Sequence, residues 1–248
     1  MKSGRELERM REAGRVLARA LDLAGAAIRP GVSTRELDAL CEREIRSRGG
    51  TPTFLGYRGY PAATCISVNE EVVHGIPSDR RLRAGDVCKI DAGVTVGGMI
   101  ADSARTWPVG AVRDELAALL RATEQALAAG LAQCRAGSRV GDVSHAIQQY
   151  AEERGYSVVR ALCGHGVGRE LHEEPQVPNY GRSGRGVRLE AGMTLAVEPM
   201  VNFGGFDVVT LSDGWTVVTK DGLPSAHFEH TILVCDRKAE VLTGNGQG

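Results

Sequence analysis

Asp91 and Asp102 stand on either side of Gly97 and Gly98 in the stretch DVCKIDAGVTVGGMIADSARTW, residues 86–107. A glycine pair between two runs of alternating and β-branched residues signals a two-residue hairpin turn, because both turn positions favour φ > 0. With the turn there, position 96 faces 99, 93 faces 102 and 91 faces 104, and the two aspartates become diagonal neighbours on one face. Two acids on so apolar a face repel each other and rise in pKa unless a cation lies between them, and a metal ion is the simplest such cation. The hairpin alone leaves open a solvent-facing pair of ordinary surface acids, so the rest of the chain has to decide.

Glu198, in LAVEP, and Glu229, in AHFEHTILV, each interrupt a strand pattern otherwise made of core residues. Acids are almost never fully buried without a partner. GHGVGRELHEEP sets His165 and His172 among glycines that let backbone approach a ligand closely. Their spacing is no metal rule, and a single histidine is often structural; His165 reads as a ligand because acids are available to converge with it. Asp91, Asp102, Glu198 and Glu229 with a neutral His165 carry four negative charges, which two divalent ions balance. Paired ions generate a nucleophile from water at neutral pH and hold attacking and leaving atoms, so metal-assisted hydrolysis is the reaction class that fits. An oxygen-rich shell with one imidazole suits Mn, Fe or Co at least as well as Zn. His145, His227 and His230 carry no functional reading: His145 falls in a helical pattern, and the other two are assigned to the strand face opposite Glu229.

The elements that must position these residues form an α+β pattern. Ser3 with Glu6 and Ser33 with Glu36 are capping boxes, opening one helix that ends by Arg29–Gly31 and another that stops at Gly49 and Gly50. Helical patterns recur over Asp114–Cys134 and Asp142–Arg154, and the last third is strand-like. Arg29, Gly31, Arg48 and Gly49 reappear as Arg135, Gly137, Arg154 and Gly155 at an offset of 106 residues, and LRAG at Leu82–Gly85 reappears as LEAG at Leu189–Gly192. Because helix, loop, helix and strand repeat in one order, a single domain, residues 1–248, of two pseudo-symmetric halves is expected. Carrying the second offset of 107 forward sets Asp91 opposite Glu198, so each half supplies carboxylates to a site between them.

At 42% hydrophobic residues and a net charge of −1 in 248 residues, nothing points to nucleic acid or a membrane surface. The N-terminus MKSGRELERMREAGRVL lacks the apolar core of an export signal, and no apolar run is long enough to span a bilayer. Cys41, Cys65, Cys88, Cys134, Cys163 and Cys235 show no C-x-x-C spacing, which excludes a zinc finger and suits reduced thiols in the cytoplasm. Aromatics make up only 4% of the chain, yet Phe54, Tyr57 and Tyr60 cluster in FLGYRGY near Cys65. That cluster is either a packed loop or a wall suited to a thioether side chain.

NEEVVHGIP, KIDAGV, ADSART, GHGVGRELHEEP, VEPMVN and FEHTILV, in this order and spacing, closely resemble the type I methionine aminopeptidases of the pita-bread, creatinase-like fold. The resemblance runs along nearly the whole chain. It implies one metal held by Asp102, His165, Glu198 and Glu229 and a second by Asp91, Asp102 and Glu229, with Glu198 accepting the proton of the attacking water. His74 and His172 would contact the scissile amide and steady the oxyanion, and the free α-amine would bind the second metal. Tyr57, Tyr60, Cys65 and Trp215 would line the methionine pocket. The chain departs from the family at Phe54, often Cys, and at Leu171, often Phe, which suggests an exchange of bulk across that pocket. Asn69 and Ser225 match positions whose carbonyls often bind a monovalent cation. The implied function is removal of the initiator methionine from nascent proteins and peptides when the next residue is small. A monomer with transient ribosome association and no N-terminal zinc-binding or docking extension is expected. Two rivals stay open: a proline-directed peptidase of the same fold, which usually carries a further domain ahead of the metal domain, and a binding protein of this fold that has lost catalysis.

Overall fold

The computed structural model describes residues 2–244. Helix α1, Gly4–Ala27, and helix α2, Thr34–Ser47, both start at the expected capping boxes. Ser33 N–H donates to Glu36 Oε2 at 2.7 Å and Glu36 N–H returns to Ser33 Oγ at 3.2 Å. Each box satisfies two backbone donors that the first turn leaves without partners. Helix α3 spans Asp114–Leu131 and helix α4 spans Val140–Glu152. The helical pattern drawn through Cys134 therefore stops three residues early: Gln133 and Cys134 donate to carbonyls three residues back, Gly130 and Leu131, at 3.0 Å each, the tightened bonds of a helix end.

Strand Val87–Val96 pairs antiparallel with Met99–Pro108 through the Gly97–Gly98 turn, whose φ values are +54° and +79°. The register is the expected one, with Val96 opposite Met99, Gly93 opposite Asp102 and Asp91 opposite Ala104. On its other edge Val87–Val96 pairs with Thr64–Val68. In the second half, strand Thr194–Val197 lies between His230–Leu233 and Cys163–Gly166 in a five-stranded antiparallel sheet. Helices α1 and α2 pack Leu17, Leu21, Leu37 and Ile45 on Ile66 and Ile90 of the first sheet, and α3 and α4 pack Leu119, Leu127, Val143 and Ile147 on Leu195 and Ile232 of the second. This is the pita-bread arrangement of two α+β halves.

The repeat read in the sequence is reproduced bond by bond. Gly31, Gly49 and Gly85 have φ of +91°, +78° and +93°, and their counterparts Gly137, Gly155 and Gly192 have +94°, +80° and +93°. Gly31 N–H donates to Leu82 O at 2.8 Å as Gly137 N–H does to Leu189 O at 2.9 Å. Gly85 N–H donates to Val109 O, and Gly192 N–H to Val234 O, both at 2.9 Å.

Between the halves runs a buried polar seam. Glu229 N–H donates to Ala104 O at 2.8 Å and Ser103 Oγ–H to Glu229 O at 2.7 Å. Thr231 Oγ both accepts from Asp102 N–H and donates to Asp102 O, each at 2.8 Å. Glu198 and Glu229 do not lie within continuous strands as the pattern suggested. Each occupies a break, between Val197 and Met200 and between His227 and His230. Pro199 has no N–H for a ladder, and the Glu229 N–H is spent across the seam.

Candidate metal centre

The seam opens into a cavity of about 230 Å³ that both halves line. From the hairpin come Asp91 and Asp102. His165 arrives on strand Cys163–Gly166, and Glu198 and Glu229 from the two strand breaks. His165 Nε2 is 3.4 Å from Glu198 Oε1 and 3.8 Å from Asp102 Oδ2. Donor atoms of Asp102, His165 and Glu229 all lie within 4.8 Å of one another, in residues only 4%, 6% and 2% exposed. The solvent-facing alternative is thereby excluded for Asp102, and Asp91, only partly exposed, lines the same cavity.

Burial is the main force on every charge here. It pushes Asp91, Glu198 and Glu229 well above the carboxylate range, and mutual repulsion adds to the shift. Asp102 rises to about 7, again chiefly through burial, with the Ser103 N–H opposing. Burial likewise lowers His165 to about 4, keeping its imidazole neutral.

The donor set fits a divalent cation on three counts. Asp91 Oδ1, Asp102 Oδ1 and Glu229 Oε1 are buried without a hydrogen-bond partner, a state that otherwise costs about 1–3 kcal/mol per group. Four carboxylates facing one cavity repel one another when ionised, and positive charge between them relieves that. His165 Nδ1 lies 2.9 Å from the Gly166 carbonyl, so a proton there leaves the Nε2 lone pair aimed at the acids, as outer hydrogen bonds orient metal-binding histidines.

The remaining walls of the cavity are aromatic and apolar. Tyr60 is buried, meets Trp215 edge to face at 5.0 Å between ring centroids, and donates its hydroxyl to Gly75 O at 2.9 Å. Phe54, Cys65 and Leu171 belong to the same apolar cluster, and burial beside Asp91 raises the Cys65 thiol so that it stays neutral. His172 lies at the mouth, with Nδ1 2.8 Å from the Tyr57 hydroxyl and its ring centroid 4.3 Å from that of His165. His74 faces the same space from a left-handed backbone conformation, φ +60°, unusual for a side chain with a Cβ. Burial lowers both His74 and His172.

Three residues were missed by the sequence reading. Arg58 lines the cavity from a surface turn, with φ +49°. Asn179 is buried and donates Nδ2–H to the Glu198 carbonyl at 3.0 Å. His227, given no role from the sequence, is buried with Nε2 3.7 Å from Glu198 Oε2. His230 does turn away, to Thr243 Oγ at 2.9 Å, and His145 is exposed on α4. The Asn69 and Ser225 carbonyls, expected around a monovalent ion, instead accept hydrogen bonds from the Lys89 ammonium at 2.8 Å each. Among the described residues, no helix is long and apolar enough to cross a membrane.

Comparison with known proteins agrees with this geometry. The chain is 50% identical over 242 residues to methionine aminopeptidase 1 of Bacillus subtilis, covering 98% of each protein. The crystal structure of the methionine aminopeptidase from Thermotoga maritima superposes with a TM-score of 0.97 at 45% identity, covering 98% of both chains. A prolidase from Pyrococcus furiosus, 24% identical with a TM-score of 0.81, shares the fold, but this chain covers only 66% of it. The profile of metallopeptidase family M24 matches residues 8–236. By sequence, fold and the acids gathered in its cavity, the chain belongs to metallopeptidase family M24, alongside the methionine aminopeptidases.

Proposed function

We propose that the cavity hydrolyses the first peptide bond of chains that begin with methionine, with Asp91, Asp102, His165, Glu198 and Glu229 holding two divalent ions drawn from iron, manganese, cobalt and zinc. Such ions, when bound, supply a nucleophile from water at neutral pH and stabilise negative charge developing on the substrate. The chain's own groups do the rest. Glu198 accepts the proton of the attacking water, its backbone steadied by Asn179. His74 and His172, kept neutral by burial, can each donate an N–H to the oxygen of the scissile amide. The Tyr57 hydroxyl fixes the His172 ring for that task. Phe54, Tyr60, Cys65, Leu171 and Trp215 enclose the departing side chain, and aromatic rings make favourable contacts with a thioether.

One observation carries this reading: acids from both halves and an aromatic, thiol-lined wall open onto the same cavity. On it the substrates are nascent chains near the ribosome in the cytoplasm, the second residue is small, and the working unit is a monomer. The test is hydrolysis of Met-Ala-Ser with added Mn or Co. Release of free methionine by the native chain, none by Asp102→Ala, and slower cleavage of Met-Leu-Ser are expected. Cleavage of Gly-Pro in place of Met-Ala-Ser would favour the proline-directed rival, and no hydrolysis at all the binding protein.

A further inference from the structure

Lys89 is the largest fully buried side chain, 1% exposed, and lies in strand Val87–Val96 two residues before Asp91. Lysine is almost never buried without a charged partner. Here, among the described residues, no carboxylate lies within ion-pair distance of its ammonium, which is held by the backbone carbonyls of Asn69 and Ser225. Those carbonyls are aimed. Asn69 has a left-handed backbone, φ +57°, its side-chain oxygen accepts Val87 N–H at 2.9 Å, and its amide donates to Asp86 at 2.9 Å. Ser225 N–H closes the group by donating to Asn69 O at 3.0 Å. Neutral carbonyl oxygens from separate segments, converging on one positive charge away from water, form the environment that replaces the hydration shell of a small monovalent cation. A lysine head is a compact point charge that suits the same cradle.

The three segments joined there all continue to the cavity: Asn69 leads to His74, Lys89 to Asp91, and Ser225 to Glu229. We propose that the Lys89 ammonium is a tethered monovalent cation, filling a carbonyl cradle that would otherwise take a sodium- or potassium-sized ion and so freeing the scaffold of the site from dependence on dissolved salt. The inference does not rest on the activity, and its readout is stability.

Thermal unfolding of the full chain, with identical divalent metal loading, should be followed in sodium, potassium and tetramethylammonium chloride at equal ionic strength. The native chain should unfold at one temperature in all three. Lys89→Ala empties the cradle, so its midpoint should be lowest in tetramethylammonium and rise saturably with sodium or potassium, by roughly 5 °C at about 100-fold excess over the dissociation constant. Lys89→Met keeps the stem without the charge and should not respond. A sodium- or potassium-specific rise in the native chain, an equal response of Lys89→Met, or no rescue of Lys89→Ala, including failure to fold in every salt, would overturn the proposal.

Discussion

Asp102 contributes to both sides of the site's balance, since it supplies a donor atom for a cation and adds to the repulsion among buried acids. Asp102→Asn keeps the shape and removes the charge. Metal affinity should fall at least about 100-fold, measured by calorimetry. At about pH 8, where Asp102 is ionised, the metal-free variant, relieved of a buried charge, should be more stable than the metal-free native chain by about 1–3 kcal/mol in denaturant titration. Lower stability of that variant would mean that the acids are not in conflict. Phe54 and Leu171 make the second residue-scale case, because both line the cavity within one apolar cluster. If their bulk is exchanged across the methionine pocket, Phe54→Cys and Leu171→Phe should each impair kcat/KM on Met-Ala-Ser and the double variant should recover it, with a coupling of about 0.5–3 kcal/mol. Strict additivity would refute the exchange. At this scale, residues that break a pattern were legible and residues that merely complete one were not. Asp102 and Glu229 stand out as acids among core residues, whereas Asn179 is one more polar residue in a loop and shows its purpose only through the distant Glu198 carbonyl.

Elements were legible wherever a local signal sets them. The capping boxes fix the starts of α1 and α2, and the glycine pair fixes the hairpin register that makes Asp91 and Asp102 neighbours. Gly98→Val therefore forces a β-branched residue into φ +79° and should cost about 1–2 kcal/mol with a loss of metal affinity, because the turn and the acid pair share one register. The strand break at Glu198 is marked by Pro199, but the one at Glu229 was not legible, since the partner of the Glu229 N–H lies in the other half. Close packing between distant elements is equally silent in the sequence. A Cβ at Gly14 of α1 would stand 2.1 Å from the Leu242 carbonyl oxygen, whereas one at Gly4 meets nothing within 4 Å. Gly14→Ala should thus lower stability by about 1–3 kcal/mol despite its better helix propensity, and Gly4→Ala should be nearly neutral in the same denaturant titration.

The whole molecule is two copies of one α+β plan whose shared edge has been made acidic, and this joins its stability to its cation. Without metal, burial holds Asp102 near 7, and Asp91, Glu198 and Glu229 are also raised. An unfolded chain titrates these groups near 4. Between those limits the folded state binds protons that the unfolded state has released, so the stability these carboxylates contribute is full below about pH 4 and is lost as pH rises toward and through about 7, while the neutral histidines of the cavity, His165 at about 4 with His74 and His172 also lowered, act in the opposite sense below about pH 6.5. A bound divalent ion reverses the sign for the carboxylates, because it favours their charged forms. Above the range of the histidines the metal-free chain should accordingly show an unfolding temperature that falls between about pH 7 and pH 8, and manganese should stabilise it more at the upper pH than at the lower. The difference between metal-loaded and metal-free midpoints is the quantity to follow, since capping and surface carboxylates far from the cavity contribute equally to both. A difference that stays flat or shrinks with rising pH would show that these acids keep their ordinary protonation in the folded chain, and that the charge conflict across the seam is relieved by something other than a cation.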